Sequence, residues 1–495
     1  MQRKFLRNLA LLLVLNLLIK PFWIFGIDRT VQNTVGAEEY GFYFAVFNFS
    51  FLFYILLDFG ITSFNNKNIA QNNHLLSKHL SNIIVLKLLL FIAYLVFSFG
   101  GALFINYSRE QIYLLLFLAF NQFLISFILY LRSNLGGLHM FKTDSLISVL
   151  DRSLMILICG VLLWGNLVPT FKIQYFVYAQ TVSLVLTALI TLIIVFKKAE
   201  TRFLRLNWSL PFFFMIIRQS FPFAILVLLM TFYNRIDSVM LERLLGDAGS
   251  RFSGIYASAY RLLDAANMFA YLFAVLLLPI FARMLKQKQS VEELIKLSYI
   301  LIITPATIIA LGSFFYSEEL MRLLYTMHEG ETLAEFEYRM EHSAKVFGLL
   351  MISFCAISTM YIFSTLLTAN GSLKYLNLVA LAGVVLNITL NYLLIPKYQA
   401  LGSAFATLVT QFLIAFVQVV IVCHLFQFKK NYLFFMRLML FVGGTYLLGW
   451  FSKQFTPTWE VNLLVMGVGS LLIALIIKFI SLKHIINIVK YGETY

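Results

Sequence analysis

Apolar residues in this chain run on continuously for about twenty positions at a time, and short polar stretches separate the runs. About twenty residues is the length a helix needs to cross a hydrocarbon core of roughly 30 Å. A transmembrane barrel would show segments of about ten residues in alternation instead. The pattern therefore predicts an all-α integral membrane protein with about fourteen transmembrane helices. They fall near 8–27, 41–64, 80–105, 112–131, 146–165, 172–196, 213–240, 252–280, 294–315, 345–369, 376–395, 403–426, 432–451 and 461–481. Lipid offers the backbone no hydrogen bonds, so each span must satisfy its own.

The polar stretches orient these spans. Counted alternately, one set of loops carries Arg3, Lys4, Arg7, Lys67, Lys78, Arg132, Lys142, Lys197, Lys198, Arg202, Arg205, Arg283, Lys286, Lys288, Lys374, Lys429, Lys430, Lys483 and Lys490, with few acids. The other set is poorer in bases and holds Glu318, Glu319, Glu329, Glu331, Glu335, Glu337 and Glu341 in one stretch, 316–344. Cytoplasmic loops are the basic ones, so both termini are expected in the cytoplasm. The acidic stretch reads as a solvated outer rim, mostly an extension of the ninth and tenth helices.

Composition agrees. The 495 residues are 61% hydrophobic and 12% charged, with mean hydropathy +0.85. An ordinary soluble domain is about 45–50% apolar and about 25% charged. The net charge of +15 is explained by the basic loops, and no nucleic-acid partner is needed. Met1 to Arg7 could open a signal peptide, but no small-residue cleavage site follows and Lys20-Pro21 interrupts the run. It is read as the first helix. Cys159, Cys355 and Cys423 all lie in apolar runs and read as small hydrophobes. No cofactor is implied: no Walker-type glycine-lysine loop exists, and His74, His79, His139, His328, His342, His424 and His484 are scattered.

One local pattern occurs twice. Ile27-Asp28, Gly36 and Gly41-Phe42-Tyr43-Phe44-Ala45 join the first and second spans; Ile236-Asp237, Gly246 and Gly254-Ile255-Tyr256-Ala257-Ser258 join the seventh and eighth. Six spans apart, the copies have the same orientation. This predicts two six-helix lobes related by a parallel pseudo-repeat, with two extra C-terminal helices; such repeats are common in transporters, with substrate between them. The expected division is 1–205, 206–428 and 429–495.

These same residues resemble a known family. Val35-Gly36-Ala37-Glu38-Glu39-Tyr40-Gly41-Phe42-Tyr43, Leu57-Asp58-Phe59-Gly60-Ile61, Arg235-Ile236-Asp237-Ser238-Val239-Met240-Leu241, Gly254 through Leu262 and Pro279 are similar to stretches of Wzx-type O-antigen and capsule flippases. That family lies within the multidrug/oligosaccharidyl-lipid/polysaccharide exporter superfamily. The resemblance implies movement of an undecaprenyl-diphosphate-linked oligosaccharide from the inner to the outer leaflet of the bacterial inner membrane, by alternating access of a V-shaped bundle. It also implies a polysaccharide polymerase and chain-length machinery as partners, beside membrane lipids.

Charges within spans are costly and mark function. Lys87, Arg218, Lys296 and Arg437 lie near cytoplasmic helix ends and are expected to snorkel to the headgroups. Lys20, Arg235 and Arg261 are the candidates for binding the diphosphate, whose negative charge calls for ammonium or guanidinium groups. Asp28, Asp58, Asp237 and Asp264 are candidates for gating or ion coupling, and Asp151 with Arg152 for a cytoplasmic gate. Lys20, Arg235, Asp237, Arg261 and Asp264 are expected in the outer third of the membrane. Alternatively, Arg235, Asp237, Arg261 and Asp264 pair among themselves and lock two helices. The 51 Phe and 25 Tyr are mostly core or interfacial, with some expected to stack on sugars.

Three rivals remain. A multidrug/cation antiporter of the same superfamily would want acidic cleft residues, against Lys20, Arg235 and Arg261. A lipid II flippase shares the span count and an anionic substrate, and the basic residues do not separate it. A polysaccharide polymerase or ligase, an enzyme, would be expected to carry a large basic outer loop; here that loop is acidic, so no catalysis is expected.

Overall fold

The computed structural model describes residues 14–480 except 17, 63–64, 67–68, 70–74, 139, 166–167, 200–209, 429–430 and 456. The start of the first apolar run, the basic residues Arg3, Lys4, Arg7, Lys67, Arg202, Arg205, Lys429, Lys430, Lys483 and Lys490, and His74, His139 and His484 lie outside the described residues. Every regular element among the described residues is helical, and eleven helices are long and apolar enough to cross a membrane.

The helices are α1 (Arg29–Leu52), α2 (Leu75–Phe104), α3 (Arg109–Gly137), α4 (Phe141–Trp164), α5 (Ile173–Ala199), α6 (Leu210–Leu244), α7 (Gly249–Lys286), α8 (Glu292–Phe315), α9 (Ser317–Leu324), α10 (Leu333–Ala369), α11 (Leu373–Phe426), α12 (Tyr432–Ser452) and α13 (Trp459–Ile476). Two of these hold a sharp corner. In α1 the corner is Gly36 (φ 80, ψ 170). Only glycine adopts that backbone freely, and a Cβ there would stand 2.9 Å from the His328 ring. In α11 it is Gln399 (φ 53, ψ −132), three residues after Pro396, whose ring has no N–H to continue the ladder.

The chain forms two compact units. Unit 1 is Met1–Ala257 with Met327–Gly330. Within it α1 enters through a π-helical turn, Trp23–Asp28, directly after Lys20-Pro21. Such turns often mark functional positions. The second arm of α1 packs on the start of α7 with almost no side chain between them. A Cβ on Gly41 would lie 1.9 Å from the Ser250 carbonyl oxygen, and one on Gly254 1.8 Å from that of Ala37. Ser253 Oγ donates to the Gly41 carbonyl at 3.1 Å. Lipid tails are as apolar as leucine, so close backbone approach through glycine is what holds membrane helices together.

The second span differs from the expected helix over 41–64. It stops at Leu52, makes a 3₁₀ turn at Tyr54–Leu57, and bends through Phe59 (φ 42) and Gly60 (φ 79) before helix resumes. An ion pair between Lys87 and Asp58, described below, sits at this break.

Unit 2 is Ser258–Thr326 with Glu331–Tyr495. Its centre is α10, whose most apolar stretch is 72% buried, against 17% for α12 at the periphery. The acidic stretch is in part the expected extension: α10 begins at Leu333, twelve residues before the expected tenth span. It holds the separate helix α9, a turn, and a capping box in which Thr332 and Glu335 satisfy the first donors of α10. Arg339 ties that turn down with a bidentate pair to Glu331 (2.7 and 2.8 Å) and a bond to the Thr326 carbonyl (2.9 Å).

Candidate functional site in the membrane-buried polar residues

The first charged cluster surrounds Lys20 in unit 1. Asn16 Nδ2 donates to Ser148 Oγ at 3.1 Å, which sets the entering helix alongside α4. One turn on, Lys20 comes within reach of Asp151, Arg152 and Arg132. Arg152 lies 5.3 Å over the Trp23 ring, which itself stacks on Phe176. Lys20 neighbours Asp151 and Arg152, about 15 Å from the start of α4, and stands about 24 Å along its helix from the Gly36 corner.

The charge balance of this cluster is informative. Arg132 is held by Asp144 at 2.7 Å and Arg152 lies 3.6 Å from Asp151. Lys20 adds a further cation to these two matched pairs, and a charge within a span is costly unless a counter-charge meets it.

A second cluster sits at the break after α1. Lys87, 1% exposed, donates to Asp58 Oδ1 at 2.5 Å, to the Leu57 carbonyl at 2.9 Å and to Ser126 Oγ at 2.9 Å. Asp58 in turn accepts from the Thr62 amide and hydroxyl, capping the resuming helix. The expectation that Lys87 snorkels is thus overturned: its ammonium satisfies the carbonyl end of the broken helix. Asp58 and Lys87 are 29 residues apart, so no local spacing could have joined them.

The repeated motif supplies two buried aspartates, each bound to a tyrosine. Asp28, 1% exposed, accepts from Tyr40 Oη at 2.9 Å and from Gln32 Nε2 at 3.1 Å. Asp237, also 1% exposed, accepts from Tyr256 Oη at 2.7 Å. Arg235, two residues earlier on α6, turns to another face. Its Nη1 donates to Asn48 Oδ1 at 3.3 Å and its guanidinium lies 5.4 Å over Phe51. Asn48 also donates to Ser238 Oγ at 2.8 Å; neither Asn48 nor Ser238 stood out in the sequence, because uncharged polar residues are common in spans.

In unit 2, Arg261 and Asp264 pair along one helix face at 4.0 Å. Arg437 and Lys296 lie close to helix ends, as expected of snorkelling residues. At the turn between α2 and α3, outside the spans, Arg243 donates to the Ile105 and Asn106 carbonyls and covers the Tyr107 ring at 4.6 Å. Burial, with the Glu242 carboxylate nearby, raises the Tyr107 phenol above its ordinary pKa. Among the described residues no cluster of His, Cys, Asp and Glu could hold a metal ion.

The family described as polysaccharide biosynthesis protein matches residues 5–285 of this chain. No curated protein matches the sequence. Among solved structures the chain is similar to the lipid II flippase MurJ in an inward closed conformation, with TM-score 0.68 and 16% identity over 95% of this chain and 98% of that one. It is also similar to a multidrug resistance MATE family transporter of the MOP superfamily. The inward-facing form gives TM-score 0.61 and 15% identity over 82% and 94% of the two chains. The outward-facing form gives TM-score 0.55 and 17% identity over 85% and 93%. At these identities the likeness establishes a shared fold.

Proposed function

The chain belongs to the polysaccharide biosynthesis protein family and shares the fold of MOP-superfamily transporters, and on that premise we propose that it flips a lipid-linked oligosaccharide. It is a multi-pass transporter of the bacterial inner membrane, not an enzyme. The substrate is an undecaprenyl-diphosphate-linked repeat unit for O-antigen, capsule or exopolysaccharide, carried from the cytoplasmic to the outer leaflet. Fourteen spans in two six-helix lobes, 1–205 and 206–428, rock against each other, and 429–495 adds two helices.

The observation that carries this reading is the excess cation at Lys20. A diphosphate supplies the missing negative charge, and two matched pairs, Arg132–Asp144 and Arg152–Asp151, hold the surroundings in place while it does so. Lys20 contacts the diphosphate first. Arg235 and Arg261 receive it further out, and Asp151–Arg152 closes the cytoplasmic side. Asp28, Asp58, Asp237 and Asp264 are the carboxylates available for gating or ion coupling. A cationic drug would be repelled by the same cluster, which disfavours the multidrug reading. Polymerase and chain-length proteins are the partners that would consume the product outside.

The test is a leaflet-resolved count of lipid-linked oligosaccharide in cells depleted of the protein. The expected result is a completed repeat unit trapped in the cytoplasmic leaflet, released by the wild-type chain. Build-up in the outer leaflet would replace this reading with a polymerase or ligase. Trapping of lipid II would replace the substrate, and altered drug sensitivity without build-up would point to a multidrug antiporter.

A further inference from the structure

Unit 2 holds a charged pocket that the transport reading does not use. It has a volume of about 390 Å³ and lies between α8, α12 and the chain just after α13. Lys296, Arg437 and Lys478 line it, with Glu293 as the acid among the lining residues. All three cations stand near helix ends on the side that the basic loops assign to the cytoplasm. Lys296 is one turn into α8, Arg437 little more than one turn into α12, and Lys478 two residues past α13. Three separate helices thus deliver positive charge to one place.

The rest of the pocket is built to keep it open. Phe434 forms part of the wall, with Lys296 6.0 Å over its ring and Phe479 5.7 Å beyond. Phe479 is 3% exposed and packs with Phe441, Ile303 and Ala474. The chain reaches Phe479 through a tight helix ending: the Lys478 amide bonds to the Leu475 carbonyl and the Phe479 amide to that of Ala474. In this ending the left-handed position is usually glycine. Here it is Lys478, with φ 55. Its carbonyl accepts from Arg437 Nη1 at 3.2 Å, so one lysine fixes a neighbouring guanidinium and adds its own ammonium.

Apart from Asn431, the remaining walls are apolar. Leu301 and Leu433 line the pocket, and both are exposed at the surface of the bundle. An occupant must therefore present an anionic group of one or two charges at the helix ends and hydrocarbon beside it. A soluble anion gains nothing from the leucines.

We propose that this pocket binds the phosphate of an anionic phospholipid of the inner leaflet, with its acyl chains lying along α8 and α12. Lys296, Arg437 and Lys478 hold the phosphate oxygens, and Glu293 limits the site to headgroups that tolerate one nearby carboxylate. The site lies in unit 2 and does not involve Lys20, so it stands whether or not the transported saccharide is the one proposed above.

The experiment measures lipid binding to the purified full-length protein in nanodiscs or by native mass spectrometry. Diphosphatidylglycerol, phosphatidylglycerol, phosphatidylcholine and inorganic phosphate are compared. The expected result is at least a tenfold preference for the anionic lipids over phosphatidylcholine, weakened by high salt. Lys296→Ala, Arg437→Ala and Lys478→Gly should each reduce that preference severalfold. Lys478→Gly is the decisive variant, because glycine suits the left-handed backbone, so the side chain and its ammonium are removed without straining the turn. Equal binding of phosphatidylcholine, or wild-type binding by all three variants, would overturn the proposal. So would competition by inorganic phosphate at the same concentration, which would mark a free-anion site, or displacement by the lipid-linked saccharide, which would mark a substrate site.

Discussion

At the scale of single residues, two lysines in the membrane have opposite roles, and each can be tested separately. Lys87 is enclosed by Asp58, Ser126 and the Leu57 carbonyl. Removing one partner of a buried pair strands the other, at a cost of about 3–5 kcal/mol. Asp58 is 20% exposed, so the lower end of that range is expected for Lys87→Met. Adding Asp58→Asn should recover much of the loss, which a double-mutant cycle of chemical denaturation in detergent would measure. Lys20 is half-buried beside two arginines and one aspartate. Its removal relieves repulsion, so Lys20→Ala should leave stability unchanged or slightly raised. Transport should fall about tenfold, the value of one charge-assisted hydrogen bond of about 1.5 kcal/mol. Lys20→Arg should retain most activity. The sequence marked both lysines as charges in spans; it expected Lys20 to await an anion, and it expected Lys87 to snorkel, where the structure shows an enclosed ion pair. Span position alone says nothing of whether a partner waits on another helix, and Asp58 lies 29 residues from Lys87.

At the scale of helices, glycine corners and contacts decide the architecture. Gly41 and Gly254 touch backbone directly, with no space for a Cβ. Gly41→Val and Gly254→Val should each cost at least about 1–3 kcal/mol by overpacking, read as loss of folded protein by fluorescence size-exclusion chromatography. Gly36→Ala meets both a left-handed backbone and the His328 ring, and about 1–2 kcal/mol is expected from the backbone alone. Gly330→Ala is the contrast: it shares the positive φ but has open space around it, so only the backbone contribution should appear. The recurring Gly41 and Gly254 motif was visible in the sequence, as were most span limits, because twenty-residue apolar runs follow directly from bilayer thickness. The break after Leu52 was not. Its signal is the pair Asp58 and Gly60 inside an apolar run, and the partner that satisfies the break, Lys87, is distant in sequence.

At the scale of the whole molecule, the proposed transport moves charge across a membrane. Substrate moving outward carries negative charge in the direction favoured by an inside-negative potential, worth about 2.3 kcal/mol per charge per 100 mV. Imposing such a potential across sealed vesicles should therefore speed outward flipping if charge movement limits the rate. The family was legible in local motifs such as Gly254 through Leu262, and the all-α membrane fold class in hydropathy, which acts over long stretches. The neighbours of Lys20 were not, because Arg132, Asp151 and Arg152 lie more than a hundred residues away along the chain. The most direct test reconstitutes the purified chain in vesicles holding fluorescent undecaprenyl-diphosphate oligosaccharide in one leaflet, and follows its access to a membrane-impermeant quencher. The account predicts rapid exchange with the wild-type chain, and roughly a tenth of that rate with Lys20→Ala. Protein-free exchange rates with a folded wild-type chain would contradict it.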